Sequence, residues 1–169
     1  MSRGLQVELK QKIPFTSREA EAYLSLLRTA DALQTQVEAK LKLFGLTGTQ
    51  YNALRILRGA GPEGLPCREI GERMITRDPD ITRLLDRLEA RGLVARSRQK
   101  KDRRVVQARI TPAGTQLLKK LDRPMDAMHR KQFAHVPAAH LKQLLEHLKE
   151  IRSAVAQIKA CAGDEEESH

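Results

Sequence analysis

The sequence predicts a mainly α-helical fold that carries one small β-hairpin, and three observations predict it. Apolar residues recur in steps of three and four over most of the chain, the pattern of amphipathic helices. One short stretch alternates instead with the period of a half-buried strand. Aromatic residues make up only 3% of the composition and Trp is absent, so the apolar content rests on Leu, Ala, Ile and Val, which suit helices packed on helices.

Residues 1–15 show no strong period and read as a loose arm. Thr16-Ser17-Arg18-Glu19 reads as a capping box, Thr16 at the N-cap and Glu19 at the third helical position. The stripe Tyr23, Leu26, Leu27, Ala30, Leu33, Val37, Leu41 and Phe44 then makes one long helix that Gly45 ends. Thr47-Gly48-Thr49-Gln50 is a second capping box, with Leu46 and Tyr51 spaced as a hydrophobic staple, and its helix should stop at Gly59. Residues 59–64, Gly-Ala-Gly-Pro-Glu-Gly, cannot be regular structure, and a short helix follows from Cys67 to about Met74.

Asp78-Pro79 reads as a helix start, Asp78 capping and Pro79 in the first helical position. Ile81, Leu84, Leu85 and Leu88 form the buried face, Gly92 the left-handed stop, and Thr82, Arg83, Asp86 and Arg87 point away. Asp80 suits the helix dipole, and Asp86 is expected to pair with Arg83 or Arg87. Two strand-like runs, 93–98 and 104–110, flank the charged tip Gln99-Lys100-Lys101-Asp102-Arg103. Thr111-Pro112 restarts a helix through Leu117, Leu118, Leu121, Met125 and Met128, which Pro124 should kink or break. The last helix, about 138–161, sets Leu141, Leu144, Leu145, Leu148, Ile151, Val155 and Ile158 at heptad-like spacing before an acidic end, Asp164 to Glu167, expected to be disordered.

The formal charge is +10, and its location matters more than its size. Residues 68–104 hold twelve basic side chains against seven acidic ones, ten of the twelve arginine. Within 94–104 six basic residues face only Asp102. Such a surface draws phosphate backbones by counterion release, and arginine adds bidentate contacts to phosphates and base edges. No apolar run approaches the ~20 residues that span a bilayer, and the N-terminus lacks an apolar signal core, so the expectation is a cytoplasmic protein without a membrane partner. A Gly-rich phosphate loop, a Gly-x-Ser-x-Gly elbow and metal-ligand spacing are all missing, which argues against an enzyme and implies no cofactor and no metal. Cys67 and Cys161 lie far apart and read as ordinary thiols, and His129, His135, His140 and His147 as solvated side chains.

The order helix, helix, short helix, helix, hairpin, helix, helix describes a winged helix-turn-helix core, residues 46–112, flanked by helical arms at 1–45 and 113–162 and an acidic tail at 163–169. Leu46-Thr47 with Gln50, the run from Asp78 to Val94, Asp102-Arg103-Arg104, and Ile110-Thr111-Pro112-Ala113-Gly114 closely resemble the MarR family of bacterial transcriptional regulators, over about residues 46–114. The resemblance implies a homodimer with interleaved terminal helices, and the apolar stripes supply the candidate interface: Tyr23, Leu27, Leu141, Leu145, Leu148, Ile151 and Val155. It implies that Arg77, Asp78, Pro79, Thr82, Arg83 and Arg87 stand at the DNA-facing side of a recognition helix, with Asp78 more a cap than a reader. Lys100, Lys101, Asp102, Arg103 and Arg104 would form the wing, with Arg104 entering the minor groove and Asp102 steadying it; Arg68 would touch the backbone. The family's function implies binding of double-stranded DNA at a pseudo-palindromic operator, repression, and release by a small lipophilic or phenolic ligand.

Pro66-Cys67 departs from the pattern, since a Ser or Thr cap is commoner at the start of the short helix. Cys67 near a helix N-terminus could have a lowered pKa, which leaves a thiol-based redox regulator as one alternative. The family's peroxide sensors carry their cysteine in the first helix, where this chain has none. A winged-helix protein-interaction module that no longer binds DNA is the other alternative, and the charged tip argues against it.

Overall fold

The computed structural model of the chain describes the backbone of residues 4–76, 80–98 and 104–166, with side chains as far as Ile158. Its elements are α1 (Leu5–Glu8), α2 (Arg18–Lys42), α3 (Gly48–Gly59), β1 (Leu65–Pro66), α4 (Cys67–Arg73), α5 (Ile81–Ala90), β2 (Val94–Arg98), β3 (Val106–Ile110), α6 (Pro112–Gln132) and α7 (Ala138–Glu166). The fold is mainly helical with a small antiparallel sheet, the winged-helix arrangement that the sequence predicts. The chain divides into two compact units, Met1–Asp126 and Ala127–His169.

The caps show where local chemistry sets the boundaries. Both halves of the Thr47–Gln50 capping box form: the Gln50 N–H donates to Thr47 Oγ1 and the Thr47 N–H to Gln50 Oε1, each at 3.2 Å. The other reading needs correction. Ser17, not Thr16, caps α2, accepting from the Ala20 N–H at 3.1 Å. With the cap one residue later, Ala20 occupies the third position and Glu19 cannot close a box. The arm also holds one helical turn, α1, where no period signalled it.

Two helix ends share one closure. Gly45 and Gly92, both at φ +67°, take the left-handed step; the Leu46 N–H reaches Leu41 O and the Leu93 N–H reaches Leu88 O. Each pair is the six-to-one bond of a Schellman stop, and all four leucines are buried. α6 runs unbroken through Pro124, contrary to a break there. The proline costs one backbone hydrogen bond, while buried Leu121 and Met125 hold the turns on either side.

The sheet order is β1-β3-β2, with β2 and β3 paired from Val94↔Ile110 to Arg98↔Val106. β1 has no sequence signal: two residues pair as Leu65↔Ala108 and Pro66↔Gln107. Gly64 makes this approach possible, since a Cβ there would lie 2.2 Å from Ala108 O. Gly114 does the same at the hairpin base, where a Cβ would lie 2.4 Å from Leu93 O. The core of the first unit joins Leu54, Leu57, Ile70, Leu85, Leu88, Val94, Leu118 and Leu121, all essentially inaccessible. Each such side chain contributes roughly 1.5–3 kcal/mol.

Candidate nucleic-acid interface

α5 is an amphipathic helix with its back on this core. Leu84, Leu85 and Leu88 are buried and Thr82, Arg83, Asp86 and Arg87 exposed, as the helical-face count predicts, while Ile81 at the first turn is only half-buried. Its start differs. Asp80, not Asp78, is the cap: its carboxylate accepts the Arg83 N–H at 3.0 Å. An ionised cap at this end also meets the positive end of the helix dipole. The helix therefore begins two residues later than Asp78-Pro79 suggested. Arg77, Asp78 and Pro79 lie outside the described residues.

The same carboxylate holds Arg83, whose Nε stands 3.0 Å from Asp80 Oδ2. Both partners are well exposed, so the pair is weak and the guanidinium can exchange it for a phosphate. Arg87 joins no ion pair among the described residues. Ahead of α5, Asn52 of α3 accepts the Ile75 N–H at 2.9 Å, which fixes the path of the chain leaving α4. Arg68 on α4 is almost fully exposed, 3.1 Å from Glu72, and Arg73 pairs with Glu69.

Asp86 does not pair with Arg83 or Arg87. Its partner is Arg96 of β2, at 2.5 Å from Asp86 Oδ1. The Arg96 guanidinium also donates to Glu89 Oε2 through Nε and Nη2, at 2.9 and 2.7 Å. The Arg96 backbone N–H donates to Glu89 Oε1 at 2.9 Å. The Arg96 hydrogen bonds hold the Glu89 carboxyl below the usual carboxylate range, and the guanidinium is itself pushed up. Spacings of seven and ten across a turn carry no sequence signal, so this clamp was not legible beforehand. It also removes one of the six basic residues of 94–104 from the charge available to a ligand.

The hairpin leads from Arg98 to Arg104, both exposed. Lys100, Lys101, Asp102 and Arg103 lie outside the described residues. Along β3 the Gln107 side chain and Arg109 Nε donate to Glu63 O, the latter at 3.0 Å. Thr111 ties hairpin to α6: its hydroxyl donates to Gly92 O at 2.6 Å and accepts the Gly114 N–H at 3.1 Å.

Cys67 stands at the start of α4 behind Pro66, which offers no side-chain cap. Burial pushes its thiol up, outweighing Arg96 nearby and the hydrogen bond from its own backbone. The lowered pKa expected of a helix N-terminus is therefore corrected: partial burial of the thiol raises it instead.

Of the proposed interface residues, Tyr23, Leu27, Leu145, Ile151 and Val155 are exposed, and Leu141 and Leu148 half-buried. No helix among the described residues is long and apolar enough to cross a membrane.

Comparison with known proteins bears on this geometry. A model of the MarR family matches residues 46–106. The chain is 43% identical to a MarR transcription factor from Planctomyces limnophilus, whose crystal structure matches 80% of this chain and 98% of its own at a TM-score of 0.63. It is 27% identical to the HTH-type transcriptional regulator FarR of Neisseria gonorrhoeae, over 85% of this chain and 99% of FarR. The structure of CouR from Rhodococcus jostii RHA1, bound to p-coumaroyl-CoA, is 26% identical over 81% of this chain and 95% of that one, at a TM-score of 0.68.

Proposed function

The chain belongs to the MarR family of transcriptional regulators, and from that membership we propose that it is a homodimeric repressor that a small molecule releases from its operator. It is a DNA-binding regulator and not an enzyme. The observation that carries the proposal is the face of α5. Exposed Thr82, Arg83 and Arg87 back onto buried leucines, in a chain whose hairpin sequence carries Lys100, Lys101, Arg103 and Arg104. A helix so built lies in a major groove with its first turns on base edges, and a cationic hairpin follows the backbone to the adjacent minor groove.

Residues 46–112 are the reading part, with Arg77, Asp78 and Pro79 at the leading end of its helix and Arg68 on the backbone. Arg104 enters the minor groove, and Lys100, Lys101, Asp102 and Arg103 accompany it. Residues 1–45 and 113–162 are the dimerisation arms, and 163–169 the acidic tail. Exposed Tyr23, Leu27, Leu145, Ile151 and Val155, with half-buried Leu141 and Leu148, leave apolar surface that a second copy would cover. A regulator of this kind works in the cytoplasm. CouR supports the ligand half of the proposal, a lipophilic or phenolic molecule that changes the spacing of the two readers.

Selection of bound duplexes from a random pool tests this reading. The expected product is a palindrome with half-sites about one helical turn, ~10 bp, apart. A single asymmetric motif would sink the dimeric reader. Binding that survives 0.5 M salt would sink the electrostatic one.

A further inference from the structure

We propose that Arg96 is a positioning residue for DNA recognition: it locks β2 to the outer face of α5, so that helix and hairpin meet DNA as one rigid reader. The inference rests on the reading above that α5 and the hairpin both contact DNA. Arg96 would touch no nucleotide itself.

Four hydrogen bonds carry it. Arg96 donates twice from its guanidinium to Glu89 Oε2, once to Asp86 Oδ1, and once from its backbone to Glu89 Oε1. Asp86 and Glu89 are three residues apart on α5, so they stack on one face of that helix and grip a single guanidinium from two points. The backbone donor matters as much. β2 is the outer strand of the sheet, and its inner side is already paired to β3. Arg96 N–H faces outward, and Glu89 occupies the free edge where the next strand would lie. One carboxylate thus fixes both strand and side chain, and the Arg96 side chain is only 21% exposed. With Nε and Nη2 on one Glu89 oxygen, Nη2 also on Asp86 and the backbone N–H on the other Glu89 oxygen, the guanidinium is restricted in orientation as well as distance.

A local ion pair with no part in recognition makes a different prediction from a strut. Glu89→Ala deletes a negative charge beside the DNA face and puts a better helix former into α5. If charge alone mattered, DNA would bind more tightly and with a steeper salt dependence. If Glu89 and Arg96 aim the hairpin, the variant binds more weakly despite its extra net positive charge.

The test uses the full-length chain and a palindromic duplex selected by the wild-type chain from a random pool, with affinity followed by fluorescence anisotropy across a salt series. Glu89→Ala, and independently Glu89→Gln, should weaken binding roughly tenfold, the scale of one charge-assisted contact. The slope of log affinity on log salt should fall by about one, the signature of a lost phosphate contact. Thermal unfolding and sedimentation verify that each variant still folds and assembles. In an Arg104→Ala background the same substitutions should cost nothing further, because the hairpin contact they support is already gone. Unchanged or tighter binding by the Glu89 variants overturns the proposal. So does an equal loss in both backgrounds, which leaves Arg104 as a hairpin contact and removes only the strut. If Arg104→Ala by itself binds like the wild type, the hairpin reading falls and the strut with it.

Discussion

α5 and α7 are both amphipathic helices, and they treat their apolar faces in opposite ways. On α5, Leu84, Leu85 and Leu88 disappear into the core of their own unit, while the polar side stays outside. On α7, Leu145 is 60% and Ile151 46% exposed, and none of its described side chains is buried. α2 shows both behaviours along one helix: Tyr23 is 62% exposed near its start and Leu41 fully buried at its end. The apolar face of α5 is thus buried within its own unit, whereas the described apolar side chains of α7 stay exposed or half-buried. Equal hydrophobic periodicity says that a face will be buried; it does not say by what.

Substitutions can break this contrast. The largest effect belongs to the self-contained part. Leu88→Ala should lower unfolding stability by about 2–5 kcal/mol in a denaturant titration, independent of protein concentration. A loss under 1 kcal/mol would mean that α5 is not anchored as described. Leu145→Glu should leave the circular dichroism of the helices and hairpin in place but raise the dissociation constant of the proposed homodimer about tenfold or more, read by sedimentation. A dimer that withstands it would remove α7 from the interface.

Acid gives the smallest and sharpest probe. Hydrogen bonds from Arg96 hold Glu89 down, and hydrogen bonds from Arg58 hold Asp122 down, joining α3 to α6 at 2.9 Å. Folded values below the unfolded ones mean stability present at neutral pH and lost as pH falls through the carboxylate range, below about pH 4. Both pairs are partly exposed and each effect is small. Asp122→Asn should lessen the fall of the urea midpoint between about pH 6 and pH 3. An unaltered slope would show that the α3–α6 pair contributes nothing.

Most of this architecture was legible in the sequence because its signals are local. Thr47 and Gln50 cap each other three residues apart, Gly45 and Gly92 mark left-handed stops, and the α5 leucines share one face by count. Neighbouring candidates misled at single-residue resolution. Thr16 and Ser17 both cap well, as do Asp78 and Asp80, and which one serves depends on where packing sets the first turn. Pairings across the fold were invisible. β1 exists only because β3 offers an edge beside Gly64, and Arg96 looked like part of the hairpin's charge until its two carboxylates were placed around it. The thiol of Cys67 misled for a related reason: position at a helix start is local, and burial is not.

One further bond reaches across the first unit. Arg91, the residue just before the Gly92 stop, sends Nη1 to Gly45 O at 2.5 Å, at the stop of α2. The end of α5 is thereby moored to the end of the long helix, with one guanidinium as the cable. A hydrogen bond tolerates only about half an ångström of stretch before most of its strength is gone. A larger excursion of the foot of α2 must break this bond, turn the Arg91 side chain, or carry the far end of α5 along. The ends of α2 and α5 are thus in direct polar contact, outside the packed leucines of the core.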